Sequence, residues 1–338
     1  MSINRKWIFA GLGVVISLVF LWLAFSNLEL AAVIGYIRQV QPGWLALSVV
    51  VFIVSVILIA WRWSFLLRAE AIPLSYLTQV VMIGYMGNNV YPFRTGEVLR
   101  AVLLRQRYRV PLARSATTII VERVFDGLVM LAFIFIALLF INAPSPEIQA
   151  TARVGGPLFM GAVMVFFALA LRPGLLRGLL RRVCRVLPAR LAQIVNGIGE
   201  GILAGLEGLR SPKDLAGAVL ASFISWLVHA GVYALVALAF GLQPGFPAML
   251  LAVGMVNLAG LIPASPGQIG IFEYFGGLAL VAVGVPREQA KAFALVTHVV
   301  VWLPATALGF YYLLRQGLGW SAITHAGELD EMESHAAG

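Results

Sequence analysis

A single cysteine, Cys184, stands in 338 residues, which excludes an intramolecular disulfide and any cysteine-built metal cluster. No G-x-x-x-x-G-K-[ST] segment occurs, so the chain is not expected to drive a process by hydrolysing ATP itself. Charge is scarce as well: 12% of residues are Asp, Glu, Lys or Arg, about half of the ~25% usual in a soluble domain. Acids are scarcer still, 15 against 24 Lys and Arg, for a formal net charge of +9. The arginines lie in loops between apolar runs, where membrane topology puts them, and nucleic acid is therefore not an expected partner. What abounds is apolar: 61% of residues are hydrophobic, with a mean hydropathy of +0.93. The chain reads as an all-α integral membrane protein, and no cofactor or metal is expected.

About six full spans can be placed by length and hydropathy, which together read as a single polytopic membrane domain over residues 1–317. Behind Arg5 and Lys6, the run from Trp7 to Phe25 is too long for a signal-peptide core and reads as a retained first helix. Trp44 to Trp63 follows, returning to Arg62 and Arg68 on the inner side. Further spans cover Ser115 to Ile141, Gly156 to Leu171, Leu215 to Phe240, and Thr297 to Leu314. Arginines at 100, 105, 107, 109 and 114, and eight basic residues over 172–213, mark the cytoplasmic side. Both termini are expected in the cytoplasm of a bacterial or archaeal cell, the protein in its inner membrane, with residues 318–338 a disordered acidic tail. Within the basic segment, Leu176, Leu180, Val183 and Leu187 recur at helical spacing opposite Arg177, Arg181 and Arg185. That pattern fits either an amphipathic helix on an anionic leaflet or a solvated loop that fixes topology.

Two stretches are too polar for hydrocarbon, yet lie between segments that only a membrane explains. They are GNNVYPFRTGEVLR, residues 87–100, and NLAGLIPASPGQIGIFE, residues 257–273. Each begins near an Asn, breaks at a proline (Pro92, Pro263), has Gly four residues on (Gly96, Gly267), and resumes an apolar helix bearing a Glu (Glu97, Glu273). Their arms, Leu74 to Met86 with Glu97 to Leu104, and Met249 to Ile262 with Gln268 to Val283, are too short to span. They read as two re-entrant broken-helix hairpins, since irregular backbone at bilayer depth must be buried in protein or line a cavity. Arginine placement gives them opposite orientations, an inverted repeat. That arrangement leaves Arg287 and Lys291 on the outer side, and eight plain spans are the alternative.

NNVYPFRTGEVLR followed by VERVFDG, together with IPASPGQIGIFEYF, resembles the transmembrane domain of the lysylphosphatidylglycerol synthase family, often called flippase-like. The resemblance runs from about Trp7 to Arg315. It implies a helical membrane protein with two re-entrant hairpins that moves a lipid between leaflets. In synthases of that family a soluble aminoacyl-transferase domain follows the membrane part. Here about two dozen residues follow the last span, so lipid aminoacylation is not expected. Where the second repeat should echo Arg123, the chain has His298, a switchable cation in place of a permanent one.

Helix N-termini at Gly96 and Gly267 are expected to present unpaired amides toward the bundle centre, a setting that favours anions. Arg94, Arg100 and Arg123 lie close by in sequence, and an arginine fork matches phosphate geometry. A phospholipid or polyprenyl-phosphate head group is the expected ligand. Glu122 and Asp126 share one helix face. Together with Glu97 and Glu273 they read either as partners of Arg100 and Arg123 in a buried ion-pair network, or as groups exchanging a proton or a substrate amine. Asn88, Asn89, Gln268, Tyr91 and Asn257 are candidate polar contacts. Three functions fit: a lipid transporter that is not an enzyme; a membrane enzyme using an acid and base such as Glu122 and His298; and a non-catalytic partner of a separate synthase or glycosyltransferase.

Overall fold

A computed structural model of the chain describes residues 5–26, 29–91, 95–141, 161, 173–188, 191–193, 195–197, 212–262 and 266–316. The expected fourth span, Gly156 to Leu171, lies outside these residues apart from Gly161, as do Pro92, Arg94, Pro263 and the acidic tail. In chain order the described helices are α1 Arg5–Phe25, α2 Leu30–Arg38, α3 Pro42–Leu66, α4 Leu74–Val90, α5 Gly96–Tyr108 and α6 Leu112–Phe140. They continue with α7 Pro173–Val186, α8 Pro212–Ala239, α9 Phe246–Ala259, α10 Ile271–Val281 and α11 Arg287–Arg315. Four are long and apolar enough to cross a membrane: α3, α6, α8 from Lys213, and α11. Val14–Phe25 with Leu30–Arg38, bent by 82° between them, makes a fifth candidate.

The ends of these helices follow from local chemistry. Tyr91 takes an extended conformation, φ −102° and ψ 146°, because a residue preceding proline clashes in the helical region, and Pro92 comes next. So α4 stops at Val90. Arg109 closes α5 in the left-handed conformation, φ 55°. α3 and α9 each carry proline in the first turn, where its missing N–H costs nothing.

Packing joins distant parts of the chain. α3 lies along α8, α4 along α11, and α6 along α9; α4 also packs on α5 and α9 on α10, and each second arm packs on the long helix that follows it. The pairing is unchanged when α3 to α6 are exchanged with α8 to α11 in order. The first hairpin closes backbone to backbone. A Cβ on Gly96 would fall 1.8 Å from the carbonyl oxygen of Gly84, and one on Gly87 would fall 2.7 Å from the Cα of Gly96.

Three expectations change. The last span begins ten residues earlier than Thr297, so Arg287 and Lys291 sit in the first turns of α11 and not in a loop. Lys291 is buried, lies against Gly277, and donates to the carbonyls of Glu273 and Tyr274 at 3.3 Å. A lysine whose partners are protein carbonyls does not mark a side of the membrane. Arg62, expected as an inner-side topology marker, is 1% exposed in the interior of α3. Gly267 does not start a helix: it has φ +72° within the short 3-10 turn Pro266–Gln268, and α10 begins at Ile271. The apolar and basic periodicity over 172–213 does produce a helix, α7, with Arg181, Arg182 and Arg185 exposed.

Candidate functional site

Residues beside both breaks line one cavity of about 150 Å³. α4 brings Asn88 and Asn89 to its wall, α9 brings Asn257, and the turn after α9 brings Gly267 and Gln268. Arg123 of α6 supplies a charged group, and His229 of α8 and His298 of α11 supply imidazoles. The apolar lining is mostly aromatic, Phe52, Tyr85, Trp226, Tyr233, Phe272 and Trp302, with Val256 and Val301. Residues far apart in the chain are therefore collected at one point between the two halves.

Behind that wall lies a buried charge network. Glu122 accepts from Arg62 Nη2 at 2.6 Å through one oxygen and from Arg100 Nη2 at 2.5 Å through the other. Asp126 accepts from Arg62 Nη1 and, at 2.7 Å, from the indole N–H of Trp226. Arg100 also lies over the ring of Trp63 at 3.9 Å, and its methylenes pack on Gly84. Toward the cavity, Arg123 stands 3.4 Å from Glu97 and 3.8 Å from Asp126. Arg62, Arg100 and Arg123 balance Glu97, Glu122 and Asp126, which makes tolerable the burial of Arg62, Arg100, Glu122 and Asp126, with Arg123 and Glu97 half-buried beside them. The network fastens α5 to α3 and α6, so the first hairpin is locked to the bundle.

Arg123 differs from its two neighbours. Neither contact, 3.4 Å with Glu97 and 3.8 Å with Asp126, is a hydrogen bond among the described residues, and its Nε is buried with no partner there. It is attracted but not committed, and its donors border the cavity.

The second half has a corresponding pair. Glu273 in the first turn of α10 meets His298 of α11, Oε1 to Nδ1 at 2.6 Å, and accepts the N–H of Gly270 at 2.7 Å through Oε2. His298 Nε2 lies 2.8 Å from the carbonyl oxygen of Gly267, and Phe272 stacks on the imidazole at 4.3 Å. A carbonyl only accepts, so Nε2 carries a proton; one further proton then lies between Nδ1 and the carboxyl.

The amide expected to be open at Gly96 has a partner, and at the second break a side chain caps Gly270, the residue before α10. Asn88 Oδ1 accepts the N–H of Gly96 at 3.0 Å, and Glu273 reaches back to Gly270. Among the described lining residues the guanidinium of Arg123 is the permanent cation of the cavity. Glu122 and His298 are not brought together as an acid and base, since each is bonded within its own half. Among the described residues no group of three or more His, Cys, Asp or Glu could hold a metal ion.

Asn88, Asn89, Arg123, Gly267, Gln268 and His298 line the cavity as a group. Gly96, Glu97, Arg100, Glu122, Asp126 and Glu273 stand behind its lining. Pro92, Arg94 and Pro263 lie outside the described residues. Arg62 and the face of α8 carrying Trp226, His229 and Tyr233 were not anticipated. The spacing of that face, i, i+3 and i+7, is a legible signal: polar-tipped aromatics on one side of an apolar span.

An all-helical membrane protein with a polar, aromatic-walled cavity between two broken helices is what these observations define. The chain belongs to the family described as lysylphosphatidylglycerol synthase TM region, whose model matches residues 11–309. It is similar to a glycosyltransferase, AglD, of Haloferax volcanii, 26% identical over 85% of this chain and 51% of that one, so the chain spans about half the length of that relative. It is also similar to UPF0104 membrane proteins of Methanothermobacter thermautotrophicus, 25% identical over 99% and 98% of the two chains, and of Pyrococcus horikoshii, 23% identical over 92% and 97%.

Proposed function

We propose that this chain is a carrier, not an enzyme, that moves a phosphate-bearing lipid of the phospholipid or polyprenyl-phosphate type between leaflets of a bacterial or archaeal inner membrane, with both termini cytoplasmic. The observation that carries the reading is Arg123: a guanidinium at the wall of a cavity between two broken helices, held by charge yet engaged in no hydrogen bond among the described residues. A phosphate supplies the acceptors that such a fork lacks.

The transport step follows from an inverted repeat, α3 to α6 against α8 to α11. Its support is the exchange-symmetric packing and the matched pairs Glu97 with Arg123 and Glu273 with His298. Rocking one repeat against the other around a fixed central site opens the cavity to each side in turn. The energy comes from an ion gradient, the membrane potential or the lipid gradient. Proteoliposomes test this directly: the protein should equilibrate a labelled phosphate lipid across the bilayer, and Arg123→Ala should abolish it while staying folded. Full activity of that variant would overturn the reading.

A second reading, a membrane partner of a glycosyltransferase, is favoured by the Haloferax volcanii relative, which bears that name and is about twice as long as the matched region. Co-purification of a glycosyltransferase that leaves when Arg177, Arg181 and Arg185 are neutralised would support it.

A further inference from the structure

A phosphate does not by itself account for the rest of the cavity wall. Four carboxamides converge there, Asn88, Asn89, Asn257 and Gln268, from elements on both sides of the molecule. Two of them are only partly engaged. Asn257 donates to the Val253 carbonyl at 2.8 Å and Asn89 to Thr306 Oγ1 at 2.9 Å, while neither side-chain oxygen has a partner among the described residues. A carboxamide offers a donor and an acceptor in one plane, the complement of a hydroxyl that is itself both.

The aromatic side of the wall suits the other face of a polyol. Ring C–H groups of a sugar carry partial positive charge and lie well on the negative face of Tyr85, Trp226, Tyr233 or Trp302. Trp302 Nε1 is buried at this wall with no hydrogen-bond partner among the described residues, an unusual state for an indole N–H. No carboxylate lines the cavity among the described residues: Glu97 and Asp126 stand behind Arg123, and Glu273 behind His298. A head group bearing an ammonium would meet Arg123 with nothing to offset it.

We infer that the head group recognised here is a glycosyl phosphate: a neutral sugar ring held by the carboxamides, aromatic faces and Trp302 N–H, joined to a phosphate at Arg123. This rests on the reading of the chain as a carrier of phosphate-bearing lipid and names that lipid's class.

Trp226 and Trp302 line the cavity, so intrinsic fluorescence of the detergent-purified full chain reports occupancy. Four probes are titrated: a short-chain prenyl phosphoryl hexose, the matching prenyl phosphate, soluble hexose 1-phosphate and an aminoacylated phosphatidylglycerol. The prenyl phosphoryl hexose should bind about tenfold tighter than prenyl phosphate, the contribution of one good hydrogen bond to a neutral group. Asn257→Leu should erase that gap and leave prenyl phosphate binding intact, which also reports that the variant is folded; Gln268→Leu serves if it is not. Arg123→Ala should weaken both. Equal binding of the two prenyl probes to the wild type would overturn the sugar inference and leave the carrier reading standing. Hexose 1-phosphate binding as tightly as the prenyl form would keep the sugar site and remove the lipid. Preference for the aminoacylated lipid, or binding of none, would overturn both.

Discussion

His298 Nδ1 lies 2.6 Å from Glu273 Oε1 while its Nε2 lies 2.8 Å from the carbonyl oxygen of Gly267, so one imidazole ties the second helix break to the long helix that follows. Arg123 stands in the same relation to Glu97 at the first break, 3.4 Å away. The two pairs differ in what they leave over. The imidazole is used on both nitrogens, whereas the guanidinium of Arg123 still has donors to give. If the repeats are functionally unequal, the first binds the phosphate and the second holds the shape of the cavity.

His298→Leu therefore removes a fastening, not a ligand. It leaves a buried carboxylate and the Gly267 carbonyl without their partner, and breaking a buried pair from one side costs ~3–5 kcal/mol. The variant should show a markedly lower thermal midpoint in detergent, with prenyl phosphate binding weakened only in proportion to unfolding. Loss of binding at full stability would instead make His298 a direct ligand.

Arg62 spans Glu122 and Asp126, one guanidinium serving two carboxylates. Arg62→Leu should be among the most destabilising changes in the protein, ~3–5 kcal/mol by the same reasoning. Arg62→Lys keeps the charge but lacks the planar fork and should fall between the two. Fluorescence-detected size exclusion after stepwise heating orders the three; a wild-type profile for Arg62→Leu would show the network to be dispensable.

Gly96→Ala places a methyl 1.8 Å from the Gly84 carbonyl oxygen, so the two arms of the first hairpin must part. Overpacking of this kind costs ~1–3 kcal/mol or more, and the displaced arm carries Arg100 and Glu97 with it. Gly35→Ala is the contrasting control: nothing lies within 4 Å of its Cβ position, and inside helix α2 alanine should be neutral or stabilising by ~0.5–1 kcal/mol. The pair is read as a difference in thermal midpoint.

Topology is open to single-cysteine labelling in a Cys184→Ser background. With opposed hairpins, a membrane-impermeant thiol reagent should reach Tyr91→Cys from the cytoplasmic side and Leu261→Cys from the other. Labelling of both from one side would remove the inverted repeat and the alternating access built on it.

Several features are legible in the chain by itself because the rules that fix them act over a few residues. Pro92 forces Tyr91 out of the helical region, apolar runs set the length of α3, α6 and α8, and the Arg177, Arg181, Arg185 spacing makes α7. The same local rules bring Glu122 and Asp126 to one face of α6. What lies far apart along the chain escapes them. Arg62 sits near the end of an apolar run and looks like a topology marker until α6 packs beside α3 and Glu122 and Asp126 close on it. Asp126 finds Trp226 a hundred residues on, and Gly84 matters only because Gly96 folds back against it. Charge buried in a membrane protein must be neutralised by whatever the packing brings near. Composition and periodicity thus determined that this chain is a bundle of apolar helices with two polar breaks; the packing of those helices decided which charges cancel, which amides are capped, and that Arg123 is left facing the cavity with donors to spare.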